Sequence, residues 1–204
     1  MLLFETRIDL INTIFTEGMV GCELGVFAGE FAEHLVAKKP KQLLLVDSWQ
    51  GDPDYDMLFS GDQDGNNGQT FPAQLLYERV KEKFSDCSNV TIQKGWTYDI
   101  IPTLQDGSLD YVYIDADHSY EGMKRDLELI RPKLKPYGLL LGHDYEMNFA
   151  KATIPWKFGV RQAVDEFCER HGYRLIAKAM DGCVSFCLLH SDYLSSSTST
   201  PANL

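Results

Sequence analysis

The chain has 204 residues, with 19 Lys+Arg against 30 Asp+Glu for a formal net charge of −11, and 44% of it is hydrophobic. That length suits one domain with a sizeable core and excludes a disordered or fibrous chain. The negative charge opposes phosphate backbones and anionic bilayers, so neither nucleic acid nor membrane is expected as a partner.

No apolar run approaches the ~20 residues of a membrane helix, and the first residues lack the basic-then-apolar pattern of a secretory leader. A soluble, cytoplasmic protein is expected. Five cysteines (Cys22, Cys87, Cys168, Cys183 and Cys187) form no CxxC or CxxH pair. Cys183 and Cys187, four apart in an apolar run, read as small buried residues, not as a disulfide or zinc site.

In chain order, the first strand candidate is Val20 to Leu24, followed by Phe31, Ala32, Leu35 and Val36 at helical spacing, then the apolar run Leu43 to Val46. Residues 50–72 carry Gly, Asp, Asn and Pro and read as a long acidic loop. Seven acidic residues and no basic one fall between Lys41 and Arg79. A helix marked by Leu75, Leu76, Val80 and Phe84 comes next, then Val90 to Ile92, Tyr111 to Ile114, a helix through Met123, Leu127 and Ile130, and the run Leu139 to Leu141. Runs apolar on both faces, alternating with amphipathic helices, predict a doubly wound, mainly parallel α/β sheet. Val160, Ala163, Val164, Phe167 and Cys168 mark a further helix, ended by Gly172. Tyr173 to Ala179 and Val184 to His190 predict a C-terminal antiparallel hairpin through Asp181-Gly182. The domain is expected to span 1–192, with 193–204 a disordered tail.

In such a sheet, ligands bind beyond the carboxyl ends of the strands. The first of these ends is Glu23-Leu-Gly-Val-Phe-Ala-Gly29. Phe27 stands where a dinucleotide fingerprint needs its second Gly, which disfavours a nicotinamide-dependent dehydrogenase. Asp47, at the end of the next strand, can accept hydrogen bonds from ribose hydroxyls, so the pattern fits a nucleoside without a pyrophosphate.

Five segments in order carry a resemblance: Glu23 to Gly29, Asp47, Gly95-Trp-Thr-Tyr-Asp-Ile-Ile-Pro102, Asp110 to Tyr120, and Gly138-Leu-Leu-Leu-Gly-His-Asp144. Over about residues 19–190 the chain resembles the class I S-adenosylmethionine-dependent methyltransferases with a Rossmann-like fold. It resembles their small-molecule O-methyltransferase branch of catechol and caffeoyl-CoA enzymes, and is nearer the macrolide and cephalosporin relatives. The resemblance implies S-adenosyl-L-methionine bordered by Glu23, Gly25, Phe27 and Gly29, with Asp47 and Ser48 on the ribose side. Trp49, Trp96, Thr97 and Tyr98 would line the adenine, and Asp115 would also face the cofactor. A binding module without catalysis is the alternative.

Asp115 and Asp144 end two strands that the fold sets side by side, and two convergent carboxylates call for a cation or proton between them. Together with the resemblance, this makes Asp115, Asp144 and His143 candidate ligands of Mg²⁺. On a strand, however, His143 is expected to face away from its neighbour Asp144. His118 takes the position where the catechol and caffeoyl-CoA enzymes carry a catalytic Lys and is the expected general base, with Asp115 as its catalytic partner. Those enzymes have Asn where this chain has Tyr145. Asp117 is either a further ligand or a helix cap. The spacing Asp52-x-Asp54-x-Asp56 lacks the Gly and Glu of a calcium loop, so loop 50–72 reads as a lid over the acceptor, with Ile154 to Phe158 as a second wall. The acceptor is expected to be a neutral or cationic hydroxylated small molecule. A homo-oligomer stays open.

Overall fold

The computed structural model describes residues 1–50, 73–146 and 159–194. Nearly all of the acidic loop, the segment Ile154 to Phe158 and the chain from 195 onward lie outside those residues. The elements are β1 (Leu2–Phe4), α1 (Arg7–Ile14), β2 (Val20–Leu24), α2 (Glu30–Ala37), β3 (Gln42–Asp47), α3 (Ala73–Lys83) and β4 (Val90–Lys94). There follow α4 (Thr97–Ile100), β5 (Leu109–Ile114), α5 (Tyr120–Ile130), β6 (Leu134–Gly142), α6 (Val160–His171), β7 (Tyr173–Ala179) and β8 (Ser185–His190).

The strands form one sheet in the order β1-β7-β8-β6-β5-β2-β3-β4. β8 runs antiparallel to both β6 and β7, and all other pairs are parallel. This is the expected doubly wound α/β sheet closed by a C-terminal hairpin. Chain order runs outward from β2 through β3 to β4 on one side and from β5 to β6 on the other, so the topological switch lies between β2 and β5.

Alternation along the central strands divides the core. Leu43, Leu45, Tyr111 and Tyr113 face Leu10, Ile11, Phe31, Leu35 and Val80 on the α1, α2 and α3 side. Leu24, Val46, Val112 and Ile114 face Met123, Leu127, Val160 and Phe167 of α5 and α6. Period-two strands sandwiched between helical stripes therefore bury both faces. All five cysteines are free, with Cys22 and Cys187 buried.

Two features at the amino end have no counterpart in the apolar periodicity. β1 pairs in parallel with β7, Phe4 opposite Ala179. α1 opens with a capping box in which Thr6 and Asp9 satisfy each other's backbone amides. At the other end, a 3₁₀ turn at Ser191–Tyr193 sets the Tyr193 ring 4.1 Å from Tyr137. Among the described residues, no helix is long and apolar enough to cross a membrane.

Candidate active site at the switch point

The turn after β2 passes under the end of β5. Gly25 donates to Val46 O at 2.8 Å, and Asp115 N donates to Leu24 O at 2.7 Å. With φ at +88°, a Cβ on Gly25 would lie 2.0 Å from the Asp115 carbonyl oxygen, so only glycine lets these strand ends approach. Gly29, at φ 78°, starts α2 without a side-chain cap. Glu23 is buried beneath this turn at 1% exposure, its Oε2 has no hydrogen-bond partner, and burial followed by the charge of Asp115 pushes its carboxyl well up.

Asp47 binds the chain before it binds anything else. Its Oδ2 accepts from the amides of Val26 and Phe27, each at 2.8 Å, and its Oδ1 accepts from Trp49 N at 2.8 Å. The Trp49 indole donates to Phe27 O at 2.8 Å and is 4% exposed in the core, tilted against the Tyr77 ring at 4.9 Å. Phe27 and Trp49 both hold positive φ, 52° and 38°. Two strained residues cross-linked through one carboxylate make a rigid loop pair. Among the described residues, Ser48 bonds locally to Gln50.

Gly95 N donates to Asp47 O at 2.8 Å, which brings the β4 end alongside. Trp96 and Tyr98 are each 38% exposed and stack nearly parallel at 5.9 Å, with the Arg125 guanidinium 4.5 Å from the Tyr98 ring centre. Thr97 turns the other way, and its hydroxyl donates to buried Asp126 at 2.8 Å.

The acid–histidine cluster assembles at the ends of β5 and β6. Gly142 is in register with Ile114, and His143 N donates to Ile114 O at 3.0 Å. His118 Nε2 lies 3.2 Å from Asp115 Oδ1 and 3.0 Å from Asp144 Oδ2. Ligand atoms of Asp115, His118 and Asp144 all fall within 4.8 Å of one another. His143 joins them, its Nδ1 3.4 Å from Asp144 Oδ2 and 3.7 Å from Asp115 Oδ1. The expectation that His143 faces away is therefore incorrect: β6 ends at Gly142 and Asp144 takes φ 59°, so strand alternation no longer applies. Burial draws the His118 pKa down, but the hydrogen bond to Asp115 and the charge of Asp144 outweigh it and leave a net rise. His143 follows the same pattern, and for Asp144 the two imidazoles outweigh burial and hold the carboxyl low.

Tyr145 and Asp117 serve the scaffold. The Tyr145 hydroxyl bonds Asp165 of α6, away from the cluster. Asp117 Oδ1 accepts from Ser119 N at 2.9 Å, just ahead of the α5 cap, where the Ser119 hydroxyl accepts from Gly122 N. One neighbour of the site had no signal in the sequence. Arg7, the first residue of α1, places Nη1 3.4 Å from Asp115 Oδ2. Asp115 thus turns one oxygen to the histidines and the other to Arg7.

The switch-point turn and this sheet order define a Rossmann-like methyltransferase fold. The protein matches an S-adenosylmethionine-dependent methyltransferase from Aquifex aeolicus with a TM-score of 0.60 at 19% identity, over 91% of this chain and 90% of that one. It also matches the N-methyltransferase NodS from Bradyrhizobium japonicum WM9 with a TM-score of 0.61 at 14% identity, over 90% and 92% of the two chains. Residues 20–145 match the model of a methyltransferase domain family, and the chain belongs to that family. The protein y4gI of Sinorhizobium fredii, described as uncharacterized, is 30% identical over 110 residues, 52% of this chain. The chain spans about a tenth of that protein's length, the match covering 10% of it.

Proposed function

We propose that this protein transfers the methyl group of S-adenosylmethionine to a hydroxyl oxygen of a small molecule, with His118 as general base. The observation that carries the reading is the convergence of Asp115, His118 and Asp144 within 4.8 Å at two adjacent strand ends, beside the Gly25 turn. A sulfonium methyl is displaced in line by the acceptor oxygen, which is a weak nucleophile while protonated. His118 takes the proton on Nδ1 as the oxygen attacks, while Nε2–H donates to the flanking carboxylates of Asp115 and Asp144, which orient the ring and stabilise the imidazolium that results. Asp47 holds the Val26–Phe27 turn in the shape that accepts the nucleoside, and the exposed Trp96–Tyr98 pair supplies flat apolar surface for adenine. A binding module without catalysis would have no use for an imidazole held between two carboxylates.

The same side chains fit a divalent cation, since ligand atoms of Asp115, His118 and Asp144 converge within 4.8 Å, with the His143 imidazole beside both carboxylates. Asp115 and Asp144 would hold it with His143 or His118, and an ion there would act as a Lewis acid that lowers the acceptor's pKa. The imidazole donors favour a first-row transition ion over Mg²⁺, which prefers oxygen ligands. The net charge of −11 favours a neutral or cationic acceptor over a polyanion, and over a nucleic acid or membrane partner.

His118→Ala tests the base. S-adenosylhomocysteine released with a metabolite extract as acceptor source should fall by at least ~100-fold, while the affinity for S-adenosylhomocysteine stays within about twofold. Unchanged turnover rejects the role, and full activity of the wild type after exhaustive chelation removes the ion from the reading.

A further inference from the structure

S-adenosylmethionine presents a zwitterion at its methionyl end, so its site needs an anion for the ammonium and a cation for the carboxylate. Carboxylates are plentiful around the switch point. Among the described residues, Arg7 is the one Lys or Arg side chain that pairs with Asp115 or Asp144. Its guanidinium sits 4.9 Å above the ring of Phe31, in the first turns of α2, and meets the hydroxyl of Tyr113, which is fixed by Ser185 at 3.0 Å. It therefore lies between the two elements, β2–α2 and β5, that flank the Gly25 turn. Its backbone is anchored as well: Arg7 N donates to Asp181 Oδ2 at 2.9 Å, and Met180 N donates to Phe4 O at 3.1 Å. The side chain stays 30% exposed, and a guanidinium with partners in Asp115 and Tyr113 retains N–H donors for a ligand.

We propose that Arg7 binds the α-carboxylate of S-adenosylmethionine while Asp115 Oδ2 takes the α-ammonium. The inference rests on the S-adenosylmethionine reading above. The ligand enters by exchange of ion pairs. Arg7 and Asp115 part from a 3.4 Å contact, long for a charged hydrogen bond, and each meets the opposite end of the zwitterion, so no charge is left unpaired. Asp115 Oδ1 stays with His118 on the acceptor side. Arg7 lies outside residues 20–145, the part matched by the family model, so this contact belongs to the chain's own amino-terminal helix.

Calorimetry on the full chain with S-adenosylmethionine and with its decarboxylated analogue tests the assignment. The wild type should prefer the carboxylated ligand by roughly 10- to 100-fold. Arg7→Met should remove most of that preference while binding decarboxylated S-adenosylmethionine within about threefold of the wild type, and Arg7→Lys should keep part of it. An equal loss for both ligands would assign Arg7 a purely structural role and overturn the proposal, as would an unchanged ratio in Arg7→Met. Should Arg7→Met fail to fold, Arg7→Lys decides through the same ratio. If the wild type binds neither ligand, the S-adenosylmethionine reading itself fails.

Discussion

Asp126 sits in α5 with 0% exposure, its Oδ1 accepting from the Thr97 hydroxyl at 2.8 Å and its Oδ2 without a hydrogen-bond partner. Burial pushes its pKa up to about 6. A carboxyl raised above its unfolded value of about 3.9 contributes stability that is fully present below that value and is lost as pH climbs through 6. Asp126→Asn keeps an acceptor for Thr97 and carries no charge. It should therefore raise the melting temperature at pH 8, by on the order of 1–3 kcal/mol in stability, and lose that advantage near pH 4. Thermal unfolding of both proteins across that range measures it. In sequence, Asp126 reads as the polar face of an amphipathic helix, because nothing local reports that α4 closes over it. His118 was legible for the opposite reason: it follows Asp115 by three residues and takes the position where the resembling catechol and caffeoyl-CoA enzymes carry a Lys. The meeting of His143 with Asp144 depends on one positive φ, which no residue type in the stretch announces.

At the scale of elements, Asp47 joins the β2–α2 turn to the end of β3 through three backbone amides. Asp47→Ala leaves those donors to water or unpaired, at a cost of about 1–3 kcal/mol. A drop in melting temperature is thus expected in the absence of any cofactor, with a further loss of S-adenosylhomocysteine affinity. A residue that only touched ribose would leave the ligand-free protein's melting temperature unchanged. The spacing of Glu23 and Asp47 made the pair visible, but not that the turn itself uses the carboxylate. Long helical stripes and the Asp181-Gly182 hairpin were likewise readable. β1 and α4, of three and four residues, span little more than one period of a strand or a helix, too little to show as a repeat, and could not be.

The whole sheet needs its outer strands. β8 pairs with the carboxyl end of β6, and Phe186 and Leu188 complete the α5–α6 core, while Leu10, Ile11 and Cys187 complete the opposite one. A fragment of residues 20–145 keeps the motifs but removes all of these. Without its cores it should show no cooperative thermal transition by circular dichroism, whereas a fragment of 1–194 should melt like the full chain. The family match covers residues 20–145, but the folding unit is wider.

The bond between Arg7 N and Asp181 spans 174 residues, and β1 lies against β7 rather than any early neighbour. During synthesis the amino-terminal strand therefore leaves the ribosome with no partner. It must wait until β7 has emerged before it can dock on the sheet. The guanidinium that faces Asp115 is set in place by that last closure. A nascent chain can thus form its central strands early and still lack the Arg7–Asp115 contact until β7 and the turn that carries Asp181 have been made.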